Sequence, residues 1–301
     1  MAEIKNVVKF TSLDFALDMI KNKYIYLSSP LKFNDPLDSY FITFLLKRPS
    51  IETEAMLKEY INIAEKKFIF CGTTNSNVEN VLMWSHYGDF HRGIALNYKV
   101  PHKLVGSLKA VNYDPHNHEG FMEVIGKGNP FKIPKKNHKE KEKLVLESTF
   151  VKDREWSYEK EIRYLINFEK HESKIEYGWE VESLYLGSEY LDNDNENLEK
   201  IIEILDFSRE HTIKVFPMEY SFNQREKRFQ LKKKELMQDE NMLEDENYLR
   251  IRRDIINELK DRMEDSIYGE VIKKIAKDVA LKETKAEISR QLIPLQMKTL
   301  K

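Results

Sequence analysis

The chain has little cysteine, no long apolar run and no dominant charge sign. Cys71 is the single cysteine among 301 residues, so no disulfide forms within the chain and a reducing compartment is expected. No apolar run approaches the roughly 18 residues of a membrane span, and the opening MAEIKNVVKF carries no signal-peptide core. Lys and Arg number 49 against 51 Asp and Glu, so a net charge of −2 gives no overall attraction to nucleic acid or membranes. These absences predict a soluble, cytoplasmic protein with no membrane partner.

Common catalytic signatures are missing as well. The chain contains no GxxxxGK[ST], no GxGxxG and no GxSxG, which excludes the P-loop, Rossmann and serine-elbow patterns. Cys71 lies in an apolar run without a basic neighbour, so it is predicted to be a core thiol and not a nucleophile. The basic run Lys232–Lys234 is short and flanked by acidic residues, which favours a solvated helix face over a nucleic-acid patch.

The composition that remains is that of a globular chain, with 41% hydrophobic and 11% aromatic residues. Eight β-branched and aromatic runs predict strands: NVVKF (6–10), YIYLS (24–28), KFIFC (67–71), GIALNYKV (93–100), KAVNY (109–113), EIRYLINF (161–168), VESLYLG (181–187) and TIKVFPMEY (212–220). Helical patterns cover about 12–22, 51–66 and 194–205. Because strands and helices mix without strict alternation, we expect an α+β fold with a mixed β-sheet core and flanking helices.

The chain changes character near residue 223. Residues 1–222 are predicted to form the α+β globular domain with the site, and residues 223–301 a charged α-helical extension. Apolar residues recur there at every fourth position, which one straight helix would spread around its circumference, and Gly269 interrupts the pattern. We therefore expect a helical hairpin of about 246–268 and 270–291 that self-associates or binds a partner; a solvated appendage is the alternative.

Residues 82–93, LMWSHYGDFHRG, form the most distinctive segment. Trp84, Tyr87, His86 and His91 combine aromatic rings with polar or titratable groups, which is typical of a small-molecule pocket. The alternative is that the two large aromatic residues belong to the core and that the histidines bond to the backbone.

The same segment also contains possible metal ligands. His86, Asp89 and His91 could join His116, His118 and Glu119 as nitrogen and oxygen ligands. The H-x₂-D-x-H spacing matches no familiar ligand framework, so no metal is expected.

Two further segments present polar side chains. Asn34 and Asp35 precede Pro36 and form either an Asx-turn or a set of hydrogen-bonding groups for a ligand at a strand end. In residues 152–168, strand alternation would place Glu159, Glu161 and Arg163 on one side of an extended chain.

These carboxylates lie beside Trp156 and Tyr158 in the sequence and suit a sugar or nucleotide hydroxyl pair. A carboxylate stabilises the oxocarbenium-like transition state that forms when a glycosidic bond breaks. An exposed face with an internal Glu–Arg pair is the alternative.

FNDPLD, LMWSHYGDFHRG and the pattern W-x-YE-x-E-x-R together resemble domain-of-unknown-function family 2971, in the family's order and over about residues 6–225. This resemblance implies an association with mobile elements and defence against phage, without a settled activity. The opening KFTSLDFALDMIKNKYIYLSSPLKFNDP also resembles the first strand, helix and second strand of ADP-ribosyltransferase-like folds. Lys9 and Thr11 stand where that pattern has His and Thr, and Asn22 stands where it has Gly.

The second resemblance implies that Glu161, or Glu159 beside it, is the late glutamate that holds the nicotinamide ribose of NAD, with Thr11 near the pocket. The leading hypothesis is therefore an ADP-ribosyltransferase-like enzyme that uses NAD as its substrate and transfers ADP-ribose to a protein or nucleic-acid acceptor or hydrolyses NAD. Glu161, Glu159 and His86 would be catalytic. Trp84, Tyr87 or Trp156 would stack on a ring of NAD, and His86, His91 or Arg163 would meet its phosphates. The alternatives are a nucleotide-sensing or partner-binding module without catalysis and a metal-dependent nuclease or hydrolase.

Overall fold

A computed structural model describes residues 4–33, 38, 58–59, 61–114, 138–167, 175–225, 228–233 and 243–261. Its strands are β1 (Asn6–Thr11), β2 (Tyr24–Tyr26), β3 (Lys67–Thr73), β4 (Ile94–Lys99), β5 (Leu108–Ala110), β6 (Glu161–Asn167), β7 (Ile175–Tyr177), β8 (Glu180–Leu186), β9 (Lys214–Asn223) and β10 (Arg228–Lys233). Its helices are α1 (Leu13–Asn22), α2 (Val81–Tyr87), α3 (His138–Ser148), α4 (Asn195–Glu210) and α5 (Leu243–Asp261). Short 3₁₀ turns join several of them. The predicted α+β class is confirmed.

Eight of the strands form one mixed sheet in the order β10-β9-β8-β4-β1-β3-β6-β5, and β2 pairs with β7 separately. Within the large sheet, only β8 and β9 run parallel to each other. β1 and β4 pair over six residues and β3 and β6 over seven, whereas β1 and β3 pair at a single position, Val8 opposite Thr73. The two halves of the sheet therefore diverge between β1 and β3.

Both faces of the sheet are covered, as the alternation of β1 shows. Val7 packs in a core cluster that includes α1, α4 and α5, whereas Val8 and Phe10 pack with Trp84 of α2 in a second cluster. α1 follows the extended residue Ser12, buries the apolar stripe that includes Met19 and Ile20, and is terminated by a left-handed backbone at Lys23. This helix therefore covers the face opposite to the one that carries α2.

The structure extends the sheet beyond the predicted end of the globular domain. β9 runs to Asn223 and β10 lies in the segment for which the sequence predicts helix only; the two pair throughout residues 228–233. α5 overlaps the range of about 246–268 predicted for the first helix of the tail but begins at Leu243, and its buried residues Ile251 and Ile255 join the core around α4. The second helix of the predicted hairpin lies outside the described residues, and the division into two domains stays a prediction. Over the described ranges, no helix has the length and apolar character to cross a membrane.

Candidate functional site

A cavity of about 260 Å³ opens where β1 and β3 diverge. Its wall combines three carboxylates, three lysines, aromatic rings and one thiol. The lining includes Lys9, Phe10, Tyr26, Ser28, Lys32, Phe33, Asp38, Cys71, Thr73, Met83, Tyr87, Lys152, Glu159 and Glu161. The cavity therefore brings together residues from distant parts of the chain, and the segment 82–93 contributes Met83 and Tyr87.

The two glutamates reach the cavity by a route that simple strand alternation does not describe. Glu159 is the last residue of a 3₁₀ turn, Arg154–Glu159. The Asp153 side chain caps the start of this turn by accepting a hydrogen bond from the Glu155 N–H. Lys160 then takes a left-handed conformation with φ 46°, and β6 begins at Glu161. The expectation of an extended chain from Glu159 is therefore wrong at its first two residues.

From Glu161 onward the expectation is confirmed. Glu161 pairs with Thr73 and Arg163 with Cys71 across β3, so all four side chains share one face of the sheet. Tyr113 accepts a hydrogen bond from the Glu161 N–H at 2.7 Å and fixes the start of the strand.

Arg163 is fully buried and is saturated with acceptors. Its Nε and Nη2 donate to the two carboxylate oxygens of Glu161, each at 2.8 Å. Nη1 and Nη2 donate to the two oxygens of Asp38 at 2.9 and 2.6 Å, and Nη1 also donates to the Thr149 carbonyl at 2.6 Å. The planar guanidinium thereby holds two carboxylates in one plane. Its carbon lies 4.9 Å from the centre of the Phe33 ring.

Glu159 is held by a different set of donors. Lys152 Nζ donates to one carboxylate oxygen at 2.6 Å, and the Tyr87 hydroxyl donates to the other at 2.5 Å. The backbone carbonyl of Glu159 accepts from the Thr73 hydroxyl and the Asn77 amide at 2.5 and 2.7 Å. Residues from β3 and α2 therefore fix both ends of this glutamate.

These environments shift the pKa values of the two glutamates in opposite directions. Burial alone would raise the pKa of Glu161, but the attraction of Arg163 and Lys152 outweighs burial and holds that pKa at about 2. Burial raises the pKa of Glu159 above its usual value, and the bonds from Lys152 and Tyr87 offset this only in part. Glu161 is thus a permanent anion at neutral pH, whereas Glu159 is the better proton acceptor.

Lys152 links the two halves of this charge cluster. Its Nζ lies 3.6 Å from a carboxylate oxygen of Asp38 and 3.6 Å from one of Glu161, in addition to its bond to Glu159. It also lies 4.9 Å from the centre of the Trp156 ring. Three carboxylates and two cations give this cluster a formal charge of −1 when all are ionised, and Lys9 and Lys32 add two further positive charges to the cavity lining.

Cys71 lies in the cavity wall, where sequence analysis expected a core thiol. Burial raises its pKa well above the ordinary value, and the neighbouring Glu161 carboxylate adds to this effect. The thiol therefore stays protonated at neutral pH and is a poor nucleophile.

The aromatic residues predicted to contact a ligand divide between the cavity and the core. Trp84 is fully buried, donates from its indole nitrogen to the Val78 carbonyl at 2.7 Å and packs edge-on against Phe10. It therefore supports the cavity wall from behind and does not reach the cavity. Trp156 is half-buried and does not line the cavity; its ring packs against Lys152, which does.

The two histidines lie outside the cavity lining. His86 is exposed and packs near the rings of Trp156 and Tyr158. His91 is buried, its Nε2 lies 3.0 Å from the Ser85 hydroxyl, and burial lowers its pKa. Neither ring is positioned to touch the cavity, and their functional roles stay predictions.

The other predicted ligand-binding residues, Thr11, Asn34 and Asp35, are not among the described residues that line the cavity. Thr11 ends β1 and does not line the cavity, although its neighbours Lys9 and Phe10 do. Asn34 and Asp35 lie outside the described residues, as do His116, His118 and Glu119 of the metal alternative. Across the residues that are described, no group of three or more His, Cys, Asp or Glu side chains is arranged to hold a metal ion.

Sequence reasoning missed Asp38, Lys152 and Lys32. The first two lie within segments that were singled out, 33–38 and 152–168. A signal was available for Lys152, because two glutamates and one arginine cannot be buried together without a further cation. No local pattern identifies Asp38, which meets Arg163 across 125 residues of sequence.

The comparisons with known proteins give one match. Searches of curated proteins and of solved structures find nothing similar. Residues 83–164 match the model of DUF2971, which is described as a protein of unknown function. This range is narrower than the predicted 6–225, yet it includes Tyr87, Lys152, Glu159, Glu161 and Arg163. Over residues 83–164 the chain is therefore similar to the DUF2971 family, which is the family that its motifs predict.

Proposed function

We propose that the cavity binds NAD and that the protein breaks the bond between nicotinamide and ribose. The observation that carries this proposal is the presence of Glu159 and Glu161 in the wall of one cavity with opposite shifts in pKa. Two carboxylates whose environments separate their pKa values are the usual arrangement for divided acid–base and electrostatic roles.

Glu161 supplies the electrostatic role. When the glycosidic bond breaks, its electron pair leaves with nicotinamide and positive charge develops on the ribose. An ionised carboxylate in a water-poor wall stabilises that charge, and Arg163 prevents Glu161 from moving away. The preorganised anion is therefore matched to the transition state.

Glu159 supplies the proton-transfer role. The attacking group is water or an acceptor hydroxyl or amine, and its proton must go to a base as it bonds to the ribose carbon. The raised pKa of Glu159 suits it to this task, and Tyr87 and Lys152 orient its carboxylate. ADP-ribose is then transferred to an acceptor or, with water, released; consumption of NAD in this way would suit a defence response.

The rest of the cavity suits one end of the dinucleotide. A volume of about 260 Å³ lies just below the range of about 300–1,000 Å³ for drug-sized ligands. It accommodates a nicotinamide ring and its ribose, with Phe10, Tyr26 and Phe33 as apolar walls and Lys9 and Lys32 available to the diphosphate.

The test is release of nicotinamide from NAD by the purified full chain, with and without cell lysate as a source of acceptors. We expect release that falls about 100-fold or more in Glu161→Gln, because a preorganised electrostatic contact to the transition state is lost. Glu159→Gln is expected to lower the rate with less effect on NAD binding. Glu155→Gln, an exposed glutamate on the same 3₁₀ turn, is the matched control and should retain full activity. Absence of nicotinamide release under all these conditions contradicts the proposal.

A second candidate is a nucleotide-sensing module without catalysis. The favouring observation is that Glu161 and Glu159 are both fully engaged by internal partners, as in a structural ion-pair network. This alternative predicts that NAD or another nucleotide binds without turnover, measured by calorimetry, and that Glu159→Gln leaves the stoichiometry unchanged.

A further inference from the structure

The hairpin of β9 and β10 ends in a group of solvent-exposed aromatic rings. Tyr220 and Phe222 are each 50% exposed and Phe229 is 70% exposed. Phe222 lies opposite Phe229 across the strands, with ring centres 5.2 Å apart. Tyr220 lies on the same strand face and its ring centre is 5.6 Å from that of His91. We call Tyr220, Phe222 and Phe229 the hairpin rings.

The hairpin rings continue a face that is otherwise buried. Met218 and Leu231, on the same face nearer the sheet centre, pack with Trp84 in the second core cluster. Farther along the hairpin, the side chains of Tyr220, Phe222 and Phe229 are half or more exposed. Rings that project together from a structured strand pair offer flat apolar surfaces to a partner.

The sequence of the same hairpin and of the residue after it is rich in positive charge. Residues 225–234, REKRFQLKKK, contain six basic residues and one acidic residue, so their formal charge is +5 in a chain of net charge −2. Arg225 is exposed beside the turn, and Lys232, on the opposite strand face, lies 3.4 Å from Glu219. Lys232 and Lys233 belong to β10, so the expectation of a solvated helix face for this basic run is wrong.

We propose that the β9–β10 hairpin binds single-stranded nucleic acid. Bases stack on exposed aromatic rings whatever their identity, and the phosphates are attracted by the adjoining basic residues. A duplex keeps its bases stacked inside and offers the rings only its edges, so single strands bind in preference. None of the hairpin rings lines the cavity, so this site is independent of the proposed reaction with NAD.

The first test measures binding of fluorescent oligo-dT and oligo-U, each of about 20 nucleotides, by anisotropy with the full chain. A stacked base is worth about 1–3 kcal/mol, so Phe222→Ala combined with Phe229→Ala should weaken binding about tenfold or more. Phe15→Ala is the matched control, because Phe15 is an exposed phenylalanine of α1, and it should bind like wild type. Phe229→Ala alone is the second variant if circular dichroism shows that the double variant has lost its fold.

The second test uses salt. Removing one phosphate contact lowers the slope of log affinity against log salt concentration by about 0.7 for a single strand. Arg225→Ala should show this change, whereas Lys103→Ala, an exposed lysine near β5, should not.

Several results would overturn the proposal. These are no binding of either oligonucleotide, unchanged affinity in the aromatic variants, or tighter binding of a duplex of the same length. If sedimentation shows that the chain self-associates, that the aromatic variants abolish this self-association and that no nucleic acid binds, the hairpin rings bind a second copy of the chain. Co-sedimentation with anionic lipid vesicles in place of oligonucleotide binding would assign them to a membrane surface.

Discussion

At the scale of single residues, Arg163 is the group on which the charge cluster depends. It satisfies both oxygens of Glu161 and both oxygens of Asp38 while fully buried. A lysine has one point charge and cannot reproduce this geometry. The position of Glu161 in the cavity wall therefore rests on Arg163.

Arg163→Met should lower the free energy of unfolding by about 3–5 kcal/mol, because two buried carboxylates lose their common partner. Arg163→Lys should recover only part of the loss. Denaturant titration followed by circular dichroism measures both, with exposed Arg154→Met as the control. If Arg163→Met lowers the free energy of unfolding no more than Arg154→Met does, the charge cluster is solvated.

The stability that Glu161 contributes should depend on pH. Folding lowers its pKa from 4.5 to about 2, so its ionised form stabilises the fold above about pH 5 and this contribution disappears as pH falls towards 2. The unfolding free energy of wild type should exceed that of Glu161→Gln by about 3 kcal/mol at pH 7, and the difference should shrink below pH 5. A difference that grows on acidification would contradict the ion pair with Arg163.

The sequence allowed part of this cluster to be predicted. The alternation Glu161–Arg163 placed two groups on one strand face, because strand period is a local property. The position of Glu159 depends on the left-handed Lys160, which no residue preference indicates. Asp38 could not be predicted, because its contact with Arg163 is set by tertiary packing.

At the scale of elements, the β9–β10 hairpin changes the description of the chain after residue 222. Its sequence is rich in charge, which is typical of a solvated helix, yet Phe229 and Leu231 alternate with the polar residues Arg228, Gln230 and Lys232 as in a strand. Leu231 is fully buried against Met218 and Tyr185. The sheet therefore includes β10 as an edge strand that shares its core.

Leu231→Ala should lower the free energy of unfolding by about 2–5 kcal/mol, since it leaves a cavity in the second core cluster. Phe229→Ala, on the same face but exposed, should cost less than about 1 kcal/mol. Urea titration of both variants makes the comparison. Equal and small effects would mean that residues after 223 do not pack in the sheet.

At the scale of the whole molecule, α5 ties the C-terminal part of the described chain to the globular core. Arg252 is buried and forms an ion pair with Asp206 of α4, and Tyr248 donates a hydrogen bond to the same carboxylate. Ile251 and Ile255 pack in the cluster that also contains α1. α5 is therefore part of this core and not a solvated appendage.

Because of this packing, α5 should unfold together with the sheet. Tryptophan fluorescence reports on Trp84, Trp156 and Trp179, all of which precede α4, whereas far-ultraviolet circular dichroism also reports on α5. The two thermal transitions should coincide in wild type and should move together in Arg252→Met. Separate transitions would indicate that α5 is an independent unit.

A crystal structure of Glu161→Gln with NAD would show whether the cavity between β1 and β3 holds the nicotinamide ribose beside Glu159 and residue 161. Glu161→Gln should slow cleavage enough to trap the intact dinucleotide. We expect the nicotinamide ribose in this cavity, with its hydroxyls within hydrogen-bonding distance of residue 161 or Glu159 and with Tyr26 or Phe33 against the ring. NAD bound elsewhere on the protein, or an empty cavity at saturating NAD, would contradict this expectation.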